Sequence, residues 1–421
     1  MDKFIIAGGE KLSGEVKVSG AKNASLALIP ASILASGVSI LKNTPILNDV
    51  YTMIKLLKHL GADINFENER LEINTSNINE FTAPYEHVKK MRASVYVLGP
   101  LLARFGKAKV SLPGGCAWGP RPVNLHLEAM KKLGAVIDLK DGYIIAEAKQ
   151  LTGAKINFDV SSVGATGNTM MAAVLAKGTT LINNSAIEPE ITQLADYLVK
   201  MGSHINGIGT NKLEIQGVEE LKPAELTTIP DRIESGTLLI AAAMTKGKIK
   251  LIDTSPEHLD AVLLKLEDCG CNILREKNEI SIDARNINLK PVSITTSIYP
   301  GFPTDMQAQW TALMSLVNGV STVTDSIYFD RFKHVPELNR LGAKIEIDRN
   351  TAVVTGVKKL KGAKVMSTDL RASASLVLAG LAAEGTTEVL RVYHLDRGYQ
   401  RIEEKLKSLG ADIQRVESKE Y

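Results

Sequence analysis

Hydrophobic and polar positions along the chain repeat one pattern six times. In each copy a helix runs into a glycine and a β-hairpin follows, as in LKHLGADINFENERLEI and LNRLGAKIEIDRNTAVVTG. Glycine adopts left-handed backbone without a steric penalty, so we predict that it is the C-cap of each helix. These glycines recur at a nearly constant spacing, at Gly61, Gly134, Gly202, Gly270, Gly342 and Gly410.

A second element recurs between these helices. It is a helix of small and apolar residues that ends in glycine and leads into an apolar strand, as in NTMMAAVLAKGTTLI and GTLLIAAAMTKGKIKLI. Its glycines are Gly37, Gly106, Gly178, Gly247, Gly319 and Gly385. Together the two elements make each repeat a β-α-β-α-β-β unit. Because the second helices are apolar on nearly every face, we predict that they are buried inside their domains.

The sixth repeat lacks its second hairpin strand, and the N-terminus offers a substitute. The segment KFIIAGG is similar to the hairpin strands YIIAEA and KLEIQG of earlier repeats. We therefore predict that residues 1–21 complete the last repeat. One domain would be 22–229, with repeats 1–3 and the loop around Cys116. The other would be 230–421 plus 1–21, with repeats 4–6.

Composition narrows the class of protein. A chain of 421 residues is long enough for two cores, and 44% hydrophobic with 23% charged residues is typical of a globular protein. A net charge of +3 without a Lys/Arg block gives little support to a nucleic-acid or membrane partner. The start shows no secretory signal pattern. Three cysteines, an odd number, favour a reducing cytoplasm over a disulfide framework.

Cations recur where the chain enters the buried helices. Four of the six entries carry one, at Lys22, Arg92, Arg232 and Arg371. Helix N-termini already favour anions, so converging cations there would form an anion-binding cage. The alternative is that these side chains are solvated surface charges, as most Lys and Arg are. Recurrence at one repeat position favours the binding site.

The fifth entry carries Asp305 instead. A carboxylate at a helix start is commonly a cap. Among cations it would also stay ionised and could accept a proton from a substrate hydroxyl. The residues alone leave both interpretations open.

The loop LPGGCAWGPRPVNLH carries the remaining candidate chemistry. Its glycines and prolines indicate a shaped loop, with Cys116 at the tip and Arg121 nearby. A cation favours the thiolate, so Cys116 is a candidate reactive thiol. The alternative, a buried inert thiol, suits Cys269 and Cys271, whose spacing is a weak metal signal without a further Cys/His pair. We predict no metal site.

The motifs as a set resemble a known family. They are GAKNASL, LPGGCAWGPRPV, SVGAT, IPDRIE, YPGFPTDMQAQ, DLRASASLVLAGLAA and HLDRGY, and they cover essentially the whole chain. They are similar to the UDP-N-acetylglucosamine 1-carboxyvinyltransferases, which are enolpyruvyl transferases. The resemblance implies an α/β fold of two inverse α/β-barrel-like domains, each with three β-α-β-α-β-β repeats around buried helices. It places the active site in the cleft between the domains.

The same resemblance implies a reaction. The 3-hydroxyl of UDP-N-acetylglucosamine attacks C2 of phosphoenolpyruvate while C3 is protonated, and phosphate then leaves the tetrahedral ketal. This is the first committed step of peptidoglycan synthesis, and the enzyme is a fosfomycin target. The implied partners are the two small-molecule substrates, with no cofactor, no nucleic acid and no membrane. A cytoplasmic monomer is expected.

Roles for individual residues follow by resemblance. Cys116 would donate the proton and can carry a covalent adduct, and Asp305 would deprotonate the sugar hydroxyl. Phosphoenolpyruvate would contact Lys22, Asn23, Arg121 and Arg397, of which Lys22 and Arg397 are also catalytic. UDP-N-acetylglucosamine would contact Arg92, Arg121, Pro122, Val123, Asn124, Leu125, Ser162, Val163, Gly164, Asp305 and Ile327. Further charges of the cleft would be Arg232, Arg331, Asp369 and Arg371. Asn124 and Val160 depart from the family pattern, where Asp and, in some members, Lys are found.

Two alternatives remain. The sister transferase that acts on shikimate 3-phosphate shares the fold and the cations, but the Cys116 loop argues against it. A closed six-repeat ring could also be a binding scaffold without catalysis. Such a ring should carry a continuous basic lining, which a net charge of +3 hardly supports.

Overall fold

Short helices and strands alternate along the chain in the computed structural model, which describes residues 2–89, 91–112 and 123–417. The α-helices are α1 Lys22–Ala31, α2 Asn48–His59, α3 Tyr85–Val88, α4 Leu98–Phe105, α5 Asn124–Lys132, α6 Val163–Ala173, α7 Pro189–Lys200, α8 Arg232–Met244, α9 Asp260–Asp268, α10 Gln307–Met314, α11 Val335–Arg340, α12 Leu370–Ala382 and α13 Ile402–Ser408. Short 3₁₀ helices span Ser32–Leu34, Arg92–Val97, Pro256–His258, Thr304–Met306 and Val392–Arg397.

The strands are short, mostly of five residues or fewer. They are β1 Asp2–Ala7, β2 Ser13–Lys17, β3 Val38–Lys42, β4 Asp63–Glu67, β5 Arg70–Asn74, β6 Thr82–Ala83, β7 Lys107–Ser111, β8 Val136–Lys140, β9 Tyr143–Glu147, β10 Lys155–Asn157, β11 Thr179–Asn183, β12 His204–Asn206, β13 Lys212–Gln216, β14 Glu225–Thr227, β15 Lys248–Ile252, β16 Asn272–Glu276, β17 Glu279–Asp283, β18 Ile294–Thr296, β19 Val320–Asp325, β20 Lys344–Asp348, β21 Thr351–Thr355, β22 Lys364–Met366, β23 Thr386–Leu390 and β24 Asp412–Glu417.

Within the described ranges the strands form six four-stranded sheets on one plan. Two parallel strands lie side by side, and an antiparallel hairpin pairs with the second of them, as in the orders β6-β7-β9-β8, β10-β11-β13-β12 and β18-β19-β21-β20. Each of these three sheets comes from one consecutive β-α-β-α-β-β stretch. A helix connects the parallel strands, as that geometry requires. The sheets confirm the repeat that the sequence predicts.

The first strand of the chain belongs to the last repeat. In the order β22-β23-β1-β24, strand β1 pairs antiparallel with both neighbours, so that Ile5 lies opposite Glu388 on one side and Gln414 on the other. This pairing confirms that the N-terminus supplies the missing hairpin strand.

The two remaining sheets exchange a strand with respect to chain order. Strand β2 precedes α1 but pairs in parallel with β15, whereas β14 precedes α8 but pairs in parallel with β3. The chain accordingly divides into two compact units, Met1–Ser19 with Pro230–Tyr421, and Gly20–Ile229. In the first, the Asp231 amide donates to the Ser19 carbonyl at 2.8 Å; in the second, the Ala21 amide donates to Ile229 at 2.7 Å.

The small-residue helices lie in the core of each unit. Every residue of α10 is buried, and α8 is buried from Ile233 to Met244. Serine and threonine are tolerated there because their hydroxyls bond the preceding turn, as Thr237 does to the Ile233 carbonyl at 2.7 Å. These helices confirm the burial predicted from their lack of a polar face.

The glycines after the outer helices have the predicted left-handed backbone. Gly61 has φ 105°, and the Ala62 amide reaches back to the Leu57 carbonyl at 3.0 Å, closing the helix. Positive φ recurs at the equivalent glycines, Gly134, Gly202, Gly270, Gly342 and Gly410. No helix of the described segments is long and apolar enough to span a bilayer.

Candidate active site

In the unit Gly20–Ile229, Lys22 is the first residue of α1. Its ammonium lies 3.0 Å from the Asp49 carboxylate, and both side chains are almost completely buried. Asp49 belongs to the first turn of α2. Asn23, the next residue, is exposed. The cation at this helix start is thus held in place by a buried carboxylate, beside an amide that solvent can reach.

Arg92 opens the 3₁₀ helix that leads into α4. Its charge acts on both Tyr96 and His126. The Tyr96 hydroxyl donates to the Val163 carbonyl at 3.3 Å. Arg92 therefore lies in the same region of this unit as the residues that start α6.

Two segments predicted to contact the sugar nucleotide meet at His126. Ser162 caps α6 by accepting from the Ala165 amide at 3.3 Å. Gly164 faces the His126 ring so closely that an added Cβ would lie 3.0 Å from Cε1 and Nε2. The other segment starts α5, where Asn124 is exposed and Val123 and Leu125 are half-buried.

His126 supports this arrangement as a neutral ring. Its Nδ1 accepts from the Asn168 amide at 3.0 Å, and that amide also bonds the Val95 carbonyl at 2.8 Å. Burial, and then the charge of Arg92, lowers the pKa of His126 to about 4. With this lowered pKa the ring is uncharged at pH 7, and it packs against Gly164, which agrees with a structural role.

The stability of this unit should consequently fall in mild acid. The neutral imidazole is the folded form, so the unfolded chain binds the proton more tightly between pH 6.5 and about 4. From pH 7 to pH 5 this one group should remove about 2 kcal/mol from the free energy of unfolding. His126→Asn keeps an acceptor for Asn168 but does not titrate. Urea unfolding should show that much less acid sensitivity in the variant; equal sensitivity would contradict the assignment.

In the other unit, Asp305 lies between two arginines. Its Oδ1 is 2.9 Å from Arg331 Nη1, and its Oδ2 accepts from Arg371 Nη2 at 2.8 Å. Both guanidinium side chains are at most 10% exposed, whereas Asp305 is 27% exposed. The helix starts around it are capped by no side chain in the described structure. The Asp305 carboxylate forms ion pairs with Arg331 and Arg371, which disfavours its interpretation as a helix cap.

Arg371 is fixed from several sides. It lies two residues after Asp369. The Asp369 carboxylate caps α12 by accepting from the amides of Arg371 at 2.9 Å and Ala372 at 3.1 Å. The Arg371 guanidinium lies 5.3 Å from the centre of the Tyr399 ring. Burial lowers the pKa of Arg371, but the charges of Asp305, Tyr399 and Asp231 and the hydrogen bond to Asp305 together outweigh burial and raise that pKa above its ordinary value. The side chain is permanently cationic.

Other predicted residues of this unit lie at element ends. Arg397 ends the 3₁₀ helix Val392–Arg397. Burial lowers the pKa of His394 in that helix. The charge of Arg397 lowers this pKa further and the charge of Asp369 raises it, so both charges lie near His394.

Two more predicted residues lie at other element ends of this unit. Arg232 begins α8, with its guanidinium 5.4 Å from the Tyr299 ring centre. Ile327, 37% exposed, follows β19.

The structure thus brings Asp305, Arg331 and Arg371 together in one unit. In the other it groups Arg92 with the starts of α5 and α6. Cys116, Arg121 and Pro122 lie outside the described residues, and their roles stay predictions. Cys269 and Cys271 are buried, which raises the pKa of each thiol to about 12 and makes them inert at neutral pH. Across 2–89, 91–112 and 123–417, no group of three His, Cys, Asp or Glu could hold a metal ion.

Comparison with known proteins decides the family. Residues 6–406 match the family EPSP synthase (3-phosphoshikimate 1-carboxyvinyltransferase). The chain is 59% identical to the UDP-N-acetylglucosamine 1-carboxyvinyltransferase of Chloroherpeton thalassium, over 100% of this chain and 99% of that protein. The enzyme of the same name from Prosthecochloris aestuarii is 58% identical over 100% of both chains. The chain belongs to the UDP-N-acetylglucosamine 1-carboxyvinyltransferase branch of the EPSP synthase family.

Solved enolpyruvyl transferases share the fold. The enolpyruvyl transferase NikO from Streptomyces tendae superposes with a TM-score of 0.89 at 26% identity, covering 99% of both chains. EPSP synthase from Acinetobacter baumannii gives 0.78 at 17% identity, covering 99% of this chain and 100% of its own. The inverse α/β-barrel-like architecture expected for an enolpyruvyl transferase is confirmed.

The sequence-based prediction missed several residues that contact the candidate site residues. They are the partners of the predicted charges: Asp49 beside Lys22, Tyr399 beneath Arg371, and Thr304, which accepts from Arg331 at 3.0 Å. Only Tyr399 and Thr304 lie within quoted motifs, HLDRGY and YPGFPTDMQAQ. No periodicity distinguishes Asp49 from an ordinary acid in a first helical turn.

Proposed function

We propose that this chain transfers the enolpyruvyl group of phosphoenolpyruvate to the 3-hydroxyl of UDP-N-acetylglucosamine and releases phosphate. The observation that carries the proposal is 59% identity, end to end, with a UDP-N-acetylglucosamine 1-carboxyvinyltransferase. The likeness to solved EPSP synthases is far lower, at 17% identity, and bears only on the fold. The acceptor is therefore assigned to the sugar nucleotide and not to shikimate 3-phosphate.

The reaction proceeds by addition and elimination. The sugar oxygen bonds to C2 of phosphoenolpyruvate as its proton passes to Asp305, and Cys116 gives a proton to C3. The C2–O bond to phosphate then breaks, a proton leaves C3, and the enolpyruvyl ether forms. Lys22, Arg121 and Arg397 bind the phosphate and carboxylate, so that negative charge is stabilised where it develops. Asn23 lies beside the reacting centre.

The surroundings of Asp305 support its role as the proton acceptor. Arg331 and Arg371 each bond one of its oxygens and favour the ionised carboxylate. The partial exposure of Asp305 provides access for that hydroxyl.

The sugar nucleotide contacts two helix starts in this proposal. Ser162, Val163 and Gly164 offer backbone groups at the start of α6, and Val123 to Leu125 with Arg92 lie in the same unit. The exposed Asn124 provides a neutral amide at the α5 start. By the family resemblance, Ile327 is a further contact of the sugar nucleotide.

An acceptor assay tests the proposal. Phosphate release from phosphoenolpyruvate should require UDP-N-acetylglucosamine and should stay at background with shikimate 3-phosphate or with no acceptor. Turnover with shikimate 3-phosphate would favour the sister activity. No release with either acceptor would favour a scaffold without catalysis.

The cellular role follows from the acceptor. The product is an enolpyruvyl ether of an activated cell-wall sugar, so we place the enzyme at the first committed step of peptidoglycan synthesis and hence in cell-wall biogenesis, cell shape and cell division. Both substrates are cytoplasmic metabolites, and the proposed site of action is the cytoplasm. The reaction as proposed uses no cofactor and needs a single copy of the chain.

A further inference from the structure

Asp325, the last residue of β19, has a fully buried carboxylate that the proposed mechanism leaves without a role. Oδ1 accepts from the Thr296 hydroxyl at 2.8 Å and from the amides of Ile327 and Tyr328 at 2.9 Å each. Oδ2 accepts from the Thr304 hydroxyl at 2.7 Å. A buried carboxylate is costly unless its lone pairs are filled. Three donors on Oδ1 and one on Oδ2 stabilise it here.

One arm of this network leads to the proposed base. Arg331 Nη1 donates to the Thr304 hydroxyl at 3.0 Å and lies 2.9 Å from Asp305 Oδ1. A guanidinium only donates hydrogen bonds, so the Thr304 oxygen accepts from Arg331. The single hydroxyl proton of Thr304 is therefore donated to Asp325. The orientation of the Thr304 hydroxyl is therefore fixed by Asp325. A chain of directed hydrogen bonds runs from Asp325 to the arginine that orients Asp305.

The other arm leads to Ile327, a predicted contact of the sugar nucleotide. The turn after β19 is closed by the two backbone amides on Asp325 Oδ1, one of which belongs to Ile327. Thr296 braces the same turn, because its oxygen accepts from the Ser326 amide at 3.1 Å. Asn350 holds the Asp325 carbonyl at 3.0 Å from the opposite hairpin. The position of Ile327 thus depends on the same carboxylate.

We propose that Asp325 is a positioning residue that fixes both the proposed base and the turn 325–328, which carries Ile327. Through Thr304 and Arg331 it orients the Asp305 carboxylate; through the turn 325–328 it presents Ile327. The inference rests on the proposed function. It adds that two predicted contacts of one substrate, the carboxylate of Asp305 and the residue Ile327, are aligned by one buried group.

The two arms can be cut separately. Thr304→Val removes the hydroxyl between Arg331 and Asp325, and Thr304→Ser restores it. Thr304→Val should lower kcat about tenfold, the effect of one hydrogen bond to charged groups, while the Kd for UDP-N-acetylglucosamine changes less than about threefold. Thr304→Ser should return kcat to within about threefold of wild type. Thr296→Val, the matched variant on the other arm, should raise Kd by about threefold or more and leave kcat nearly unchanged.

Steady-state kinetics and calorimetric Kd on correctly folded protein decide the matter. The split between kcat for Thr304 and Kd for Thr296, with rescue by serine, supports the positioning role. A merely structural role predicts that both valine variants lose kcat and affinity in parallel, or that neither changes, and either result overturns the inference. Failure of Thr304→Ser to restore kcat also overturns it. A wild-type chain without turnover would refute the proposed function first, before any variant is made.

Discussion

Asp305→Asn is expected to lower kcat by roughly two to four orders of magnitude, because the amide cannot accept the proton of the sugar hydroxyl. The Kd for UDP-N-acetylglucosamine should change far less, since the amide oxygen still accepts one hydrogen bond. Arg331 and Arg371 lose a charged partner, which should cost about 1–3 kcal/mol of stability. Turnover must therefore be measured on the folded fraction, with nucleotide binding as the reference.

Asp283→Asn is the control for this variant. Asp283 also pairs with an arginine, because its Oδ1 accepts from Arg285 Nε at 2.9 Å and its Oδ2 accepts from Arg285 Nη2 at 2.7 Å, and no site role is predicted for it. An exposed ion pair contributes little to stability, so turnover and melting temperature should stay near wild type. If Asp305→Asn behaved like this control and kept most of its turnover, Asp305 would leave the list of catalytic residues.

Fosfomycin, a small anionic epoxide, is expected to inactivate the enzyme by alkylating Cys116 alone. Cys269 and Cys271 are buried with thiol pKa values raised to about 12, so on the order of one in 10⁵ is ionised at pH 7. Peptide mass mapping after inactivation should find the label on Cys116. Label on either buried thiol, or inactivation without label, would contradict the assignment.

Substitution separates the thiol's two properties. Cys116→Asp should be immune to fosfomycin and keep turnover, because a carboxylic acid can also deliver a proton to C3. Cys116→Ala should be equally immune but lose roughly two to four orders of magnitude in kcat. Equal activity of the alanine variant and wild type would mean that another group is the proton donor.

The fold was predictable because it repeats. A single helix ending at Gly61 says little, but the same ending in every repeat indicates one unit used again, and the sheets bear this out. The gap in the sixth repeat even located β1. The pairing of β2 with β15 and of β14 with β3 was not predictable, because partners so far apart in the chain leave no local trace in the sequence.

The site was predictable only for groups that break a pattern. Asp305 stood out because it replaces a cation at a repeated helix entry. Asp325 did not, because an acid at the end of a strand commonly begins a turn. Its importance comes from Thr304 and Thr296, which are distant in sequence and meet it only in the folded unit. Lys22 was predicted for its charge. Its partner Asp49 became evident only from the structure, where α1 packs against α2.

Enolpyruvyl transfer to the sugar 3-hydroxyl by addition and elimination determines the structure of the product that forms in D₂O. Phosphoenolpyruvate and UDP-N-acetylglucosamine are incubated with the enzyme, and the sugar product is examined by NMR. We predict a vinyl ether on the 3-oxygen of the N-acetylglucosamine, with deuterium in its methylene group, because C3 takes a solvent proton before elimination. Phosphate release without this ether, or an ether free of deuterium, would contradict it.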